Sequence, residues 1–282
     1  MHEKIALYSP PLDMQKYTSY FELVDAAVEF GIKNIETING HELKTPNTEF
    51  AKRLRDYADK KGVKIVCCSV GIDLVGDGNE KNIEKVMGFA DVAKILGSPY
   101  LHHTVALNIT DPDRTEKNRE IYFNRGVKAV ESSFDYCESI GIRAIYEDQG
   151  YLFNGVKGFK RLMDATNRNF GVVADFGNCL FVDEPIEDFI PMVKDRLVNV
   201  HIKDCIVTNC NLREKFDNEF LTANKNYISG CNFGDGIVNF DRAFEELKKI
   251  GYNGYYAVES VPLGKDQKKT FYKNLEYLCK YL

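Results

Sequence analysis

Eight short runs of β-branched and aromatic residues alternate with eight amphipathic segments along this chain, and no other feature restricts its fold as much. The runs read KIALYS, KNIET, VKIVCCS, PYLHHT, RAIYE, GVVAD, LVNVH and YYAVE. Between them lie YFELVDAAVEFG, EFAKRLRDYADKKG, IEKVMGFADVAKILG, NRGVKAVESSFDYCESIG, VKGFKRLMDAT, IEDFIPMVKD and FDRAFEELKKIG, and TFYKNLEYLCKYL comes last. Apolar residues in these segments recur at three- and four-residue spacing. Gly31, Gly62, Gly97, Gly141 and Gly251 stand where a left-handed cap would end a helix. The strand runs are nearly continuous in apolar residues, as a parallel sheet covered on both faces requires. An open doubly wound sheet meets that requirement too, but eight units in 282 residues match a closed barrel of about 250 residues plus insertions. The expectation is therefore an α/β fold: a (β/α)8 TIM barrel, a single domain over residues 1–282, with a long loop after strand 7.

Such a barrel carries its active site at the carboxyl ends of its strands. Four of the runs close there on Glu147, Asp175, His201 and Glu259. The first three are separated by about one strand-helix-strand unit each, roughly 30 residues. Glu259 follows about two such lengths later, across an interval with one helical pattern, so that interval reads as one unit carrying an insertion from Cys205 to Phe233. Two glutamates, an aspartate and an imidazole form an oxygen and nitrogen donor set for one divalent ion. Mn2+ suits it first, Mg2+ and Co2+ also, and Zn2+ is tolerated. Loops beginning at strand ends also collect polar residues, but the joint appearance of four such side chains favours a shared site. Glu36, His102 and His103 occupy comparable positions. Alternation sends His102 and His103 to opposite faces, so one can reach the barrel mouth while the other is structural.

The 37 basic and 42 acidic residues leave a net charge of −5 without a basic block, which argues against nucleic acid and anionic membranes as partners and for a small molecule. No stretch approaches the ~20 apolar residues of a membrane span, and the N-terminus lacks a leader pattern, so the expected location is cytoplasmic. The eight cysteines are scattered without a CxxC pair and read as reduced, mostly apolar side chains. Cys205, Cys210 and Cys231 share the insertion in a spacing that fits no standard zinc pattern.

The motifs at the strand ends resemble those of the sugar isomerase and epimerase barrels related to xylose isomerase and, more distantly, to endonuclease IV. The resemblance rests on Glu36, E-D-Q at Glu147 to Gln149, V-x-D at Asp175, H-I-K-D at His201 to Asp204, G-D-G at Gly234 to Gly236 and the glutamate of YYAVES. It implies a carbohydrate substrate and one divalent metal on Glu147, Asp175, His201 and Glu259. It also implies that Glu147 and Glu259 double as catalytic acid and base on opposite faces of the substrate. The implied activity is that of an isomerase or epimerase working through an enediolate, with a lyase of the inosose or dehydroshikimate dehydratase type as the alternative. Endonuclease-like repair needs many histidines and a basic face, whereas this chain has five histidines and net negative charge.

Several residues carry two readings. Ketose 3-epimerases of the family have D-x-x-H after the sixth strand, whereas here D-F-G-N puts Asn178 at the histidine position, either as a neutral substrate contact or as a turn residue. Lys203 projects to the same side of its strand as His201 and either neutralises an enediolate or orients a carboxylate, or forms a salt bridge to Asp175 or Glu36. Glu36 is either a substrate contact or the anchor of Lys203 or another cation. His102 or His103 is a substrate contact by analogy with family members. The insertion is a lid or a contact in a homo-oligomer, with Arg213 as its candidate to reach substrate. The G-D-G is read as backbone geometry and not as a phosphate loop.

Overall fold

The computed structural model describes residues 3–8, 17–107, 111–208, 220–259 and 267–282. Eight parallel strands close into a barrel: β1 (Ile5–Tyr8), β2 (Asn34–Ile38), β3 (Lys64–Val70), β4 (Tyr100–His103), β5 (Arg143–Glu147), β6 (Gly171–Asp175), β7 (Leu197–Ile202) and, after the insertion, β11 (Tyr255–Val258), which returns beside β1. The helices that follow them are α1 (Tyr20–Glu29), α2 (Thr48–Lys61), α3 (Asn79–Leu96), α5 (Arg119–Ile140), α6 (Gly155–Thr166), α7 (Ile186–Met192), α8 (Phe240–Lys249) and α9 (Gln267–Leu278). A short helix, α4 (Pro112–Lys117), precedes α5 and has no counterpart in the sequence reading. All five expected cap glycines take φ between 68° and 78°.

Each strand serves two cores. Ile5 and Leu7, Ala144 and Tyr146, Val172 and Ala174, and Val200 and Ile202 join the main core between strands and helices. The intervening residues fill the barrel: Ala6, Tyr8, Val66 and Ala257 in one cluster, Cys67, Ile145 and Val173 in another. Alternation then carries the same inner face to Glu36, His102, Glu147, Asp175, Asn199 and His201 at the upper ends. His103 falls on the outer face, where Nε2 lies 2.9 Å from Ser133 Oγ and the ring packs edge-on against Tyr146.

The described residues of the insertion carry a small three-stranded sheet. Asp204–Thr208 (β8) pairs antiparallel with Tyr227–Cys231 (β10), which pairs with Phe220–Leu221 (β9). The long insertion expected after strand 7 carries these strands because DCIVT and YISGC are short strand-forming runs that pair with each other. Cys205 and Cys231 are free, buried thiols within it, and Cys210 and Arg213 lie outside the described residues. No helix among the described residues is long and apolar enough to cross a membrane.

Asp204 fastens this insertion to the barrel. Its carboxylate accepts from the amides of Cys205 at 2.8 Å, Gly234 at 2.9 Å, Gly236 at 3.0 Å and Val238 at 3.2 Å. The G-D-G is therefore a nest for an internal carboxylate. Gly234 needs its φ of +85°, and any Cβ on Gly236 would collide with Asp204 Oδ1 and stand 2.5 Å from the Cys205 carbonyl.

Candidate metal centre

The barrel register levels Asp175 with His201 on neighbouring strands, and Ala257 with His201 on the next, so that Glu259 follows at the rim. Glu147, Asp175, His201 and Glu259 each offer one donor atom, and these four atoms all lie within 4.8 Å of one another. His201 Nδ1 is 2.8 Å from Glu147 Oε1, 3.4 Å from Glu259 Oε2 and 3.9 Å from Asp175 Oδ2.

His201 is held from behind. Its Nε2 stands 3.0 Å from Glu36 Oε1, and the Tyr8 ring packs on it with centroids 4.7 Å apart. Glu36 is wholly buried and also accepts from Ser69 Oγ at 2.5 Å and Asn199 Nδ2 at 2.9 Å. A carboxylate on the far nitrogen fixes the tautomer and aims the Nδ1 lone pair at the donor cluster, the usual support of a metal-binding histidine. Asp175 is fixed similarly: Oδ1 accepts from the amides of Gly177 and Asn178, and its own N–H donates to Asp148 Oδ1 at 2.8 Å.

These residues fit a divalent ion on their own evidence. His201 Nδ1 and Asp175 Oδ2 are buried and face the cluster, with Glu147 Oε1 2.8 Å from the first and Lys203 Nζ 3.0 Å from the second. Three ionised carboxylates this close repel one another in a buried site, which a shared cation would relieve. The electrostatics agree. Burial, with Glu259 and Glu147 beside it, pushes the Asp175 carboxyl well above the usual range despite Lys203. Burial alone would lower the His201 pKa, yet Glu36 and Glu147 raise it well above the ordinary value. Burial works against ionised Glu259 too, but Lys203 and His201 outweigh it and hold its carboxyl at about 2.

Lys203 Nζ sits 3.0 Å from Asp175 Oδ2 and 3.8 Å from Glu259 Oε1, and donates to Asn178 Oδ1 at 2.8 Å. Of the alternatives for Glu36, the structure places it beneath His201 and away from Lys203. His102 shares that buried layer, with Nδ1 3.0 Å from Ser69 Oγ and Nε2 3.7 Å from Glu147 Oε2. Neither Glu36 nor His102 lines the cavity above the cluster, and His103 is on the outer face. That cavity, about 290 Å3, has Glu259, Lys203, Asn178 and Gln149 among its polar lining and Tyr151 and Phe181 among its apolar lining. The sequence reading passed over Ser69, Asn199 and Tyr8 as contributors and gave Gln149 no role beyond its place in E-D-Q. Asn199 carried a signal of its own, since it precedes His201 by two and so shares its face.

A family model described as xylose isomerase-like TIM barrel matches residues 24–281. The chain belongs to the xylose isomerase-like TIM barrel family. It is 30% identical over 101 residues to an inosose dehydratase of Geobacillus thermodenitrificans (strain NG80-2), a match over 36% of this chain and 34% of that one. The chain thus aligns with about a third of the length of that curated relative. Among solved structures it is similar to a 3-keto-D-glucoside 4-epimerase from E. coli, with a TM-score of 0.75, 13% identity and coverage of 99% and 100% of the two chains. It is also similar to a probable 3-DHS dehydratase of petrobactin synthesis from Bacillus anthracis, with a TM-score of 0.72, 17% identity and 98% coverage of each chain. Such identities carry the fold, and both epimerases and dehydratases are built on it.

Proposed function

We propose that the protein is a metal-dependent isomerase or epimerase acting on a sugar, keto-sugar or related polyol derivative by proton transfer through an enediolate. The observation that carries this reading is the convergence of Glu147, Asp175, His201 and Glu259 on one point, with one donor atom from each within 4.8 Å of the others. A divalent ion there would polarise a carbonyl and acidify the neighbouring C–H. The chain's own residues supply the rest. Glu147, nearly enclosed, and Glu259, at the cavity floor, are the two carboxylates able to take and return a carbon-bound proton. Burial favours the neutral amine of Lys203, but Asp175, Glu259 and Glu147 outweigh it and keep the side chain an ammonium, beside the place where negative charge develops.

A second reading, loss of a β-hydroxyl after the same proton abstraction, is favoured by the stretch shared with inosose dehydratase. Incubation of metal-loaded protein in D2O with ketoses, inososes and 3-keto-glycosides separates the two. Carbon-bound deuterium in an epimer or isomer supports the first reading, and a product absorbing as an enone or dione supports the second. Turnover without deuterium uptake, together with no isotope effect from substrate deuterated at that carbon, rules out the enediolate.

A further inference from the structure

Strand β5 ends at Glu147, opposite Val173, while β6 runs two residues further, to Asp175. The Asp175 N–H thus lies past the end of the neighbouring strand. Asp148 fills that gap with its side chain: it is wholly buried, and its Oδ1 accepts the Asp175 N–H at 2.8 Å. A carboxylate oxygen therefore does the work of the next strand carbonyl and continues the pairing of β5 with β6 by one rung.

The other oxygen of Asp148 reaches the turn beyond β6. Cys179, also wholly buried, donates its thiol to Asp148 Oδ2 at 3.2 Å. Between Asp175 and Cys179 runs the segment whose amides at Gly177 and Asn178 hold Asp175 Oδ1, at 2.8 and 2.9 Å. That segment is tied at two further points: Asn154 Nδ2 donates to the Asn178 carbonyl at 2.7 Å, and the Phe176 N–H donates to the His201 carbonyl at 3.0 Å. One carboxylate thus fixes Asp175 twice, through its own backbone and through the turn that occupies its Oδ1 and leaves Oδ2 to face the cluster. A carboxyl group buried beside Glu147 and Asp175 is costly to keep. An apolar side chain would fill the same space, but it would leave the Asp175 N–H and the Cys179 thiol without an acceptor.

We propose that Asp148, with Cys179 as its partner, is a positioning residue of the metal centre: it holds Asp175 Oδ2 on the donor cluster and Asn178 at the cavity. This rests on the reading of Glu147, Asp175, His201 and Glu259 as a metal site, and it adds to that site two residues that supply none of its donor atoms.

The test is calorimetric titration with Mn2+, alongside urea unfolding in chelator, of wild type, Asp148→Asn, Asp148→Leu, Cys179→Ser and Cys179→Ala. Asparagine keeps an oxygen for the Asp175 N–H and offers an amide N–H to the sulfur, whereas leucine removes both acceptors. Serine keeps the donor at position 179, and alanine removes it. The expected result is Mn2+ affinity about 10- to 100-fold weaker in Asp148→Leu, the range for loss of an outer partner of a metal ligand. Cys179→Ala should weaken it about tenfold, and the Asn and Ser variants should stay within about threefold of wild type. A purely structural role would lower the urea midpoint of Asp148→Leu and leave its Mn2+ affinity within threefold of wild type, which overturns this inference, as does Asp148→Asn binding as weakly as Asp148→Leu. Should Asp148→Leu fail to fold, the position 179 pair decides, and equal Mn2+ affinity in its two variants overturns the inference. In each of these cases wild type still binds Mn2+ and the metal reading stands. Wild type that binds no divalent ion overturns the metal reading, and this inference with it.

Discussion

Replacing Glu36 by Gln should both destabilise the metal-free protein and weaken metal binding, although Glu36 is wholly buried and meets the four-residue donor cluster only through the far nitrogen of His201. Three donors converge on its two oxygens: Ser69 Oγ at 2.5 Å, Asn199 Nδ2 at 2.9 Å and His201 Nε2 at 3.0 Å. Glutamine offers one oxygen and an NH2 group, so at least one buried donor loses its acceptor and an amide N–H is turned toward another donor. A hydrogen bond to a charged group contributes about 1.5–3 kcal/mol, and a stranded buried donor costs about 1–3 kcal/mol. Relief of the buried charge offsets part of this, and the expected net loss is about 3 kcal/mol, in line with breaking a buried pair by removing one partner. Urea unfolding in the presence of a chelator, followed by circular dichroism, measures it. With the His201 tautomer no longer enforced, metal affinity should fall about 10- to 100-fold. A variant within about 0.5 kcal/mol of wild type and within twofold in metal affinity would refute the claim that Glu36 positions His201.

Other expectations follow from the same geometry. Gly236→Ala forces a Cβ into Asp204 and the Cys205 carbonyl, and the loss of one or two of the Asp204 amide bonds should lower unfolding free energy by about 2–4 kcal/mol, read by chemical denaturation. Mn2+ at a hundred times its dissociation constant should stabilise wild type by about 2.7 kcal/mol in a thermal melt, and a His201→Ala, Asp175→Ala double variant should show no such gain. Glu147→Gln and Glu259→Gln should each cost about 10²- to 10⁴-fold in turnover, and the variant that still exchanges the carbon-bound proton without forming product identifies the surviving glutamate as the abstracting base. In metal-free protein the folded His201 binds its proton more tightly than the unfolded chain does, because Glu36 and Glu147 outweigh burial. Its contribution to stability is then full below about pH 6.5 and is lost as pH rises toward the higher folded value, so denaturation midpoints should decline through that window and Glu36→Gln should flatten the decline.

The barrel was legible because its evidence is local. The strand runs, the three- and four-residue periodicity and the capping glycines are each contained within a few neighbouring residues, and the alternation of eight units leaves few ways to bury them. The strand-end positions of Glu147, Asp175, His201 and Glu259 were legible for the same reason, since where a run of β-forming residues stops is a property of the run. The tertiary structure decided everything that depends on which atoms share a point. Pleat and register, not spacing, turned His102 inward and His103 out toward Ser133, and barrel closure brought Glu36 from the second strand against His201 on the seventh. The antiparallel pairing of DCIVT with YISGC built a small sheet after the seventh strand, and Asp204 gave G-D-G its purpose by filling its amides. The orientation of the Asn178 amide was likewise outside the reach of the sequence, because it is set by a single hydrogen bond from Lys203, 25 residues along the chain, and such a contact exists only once the strands have closed.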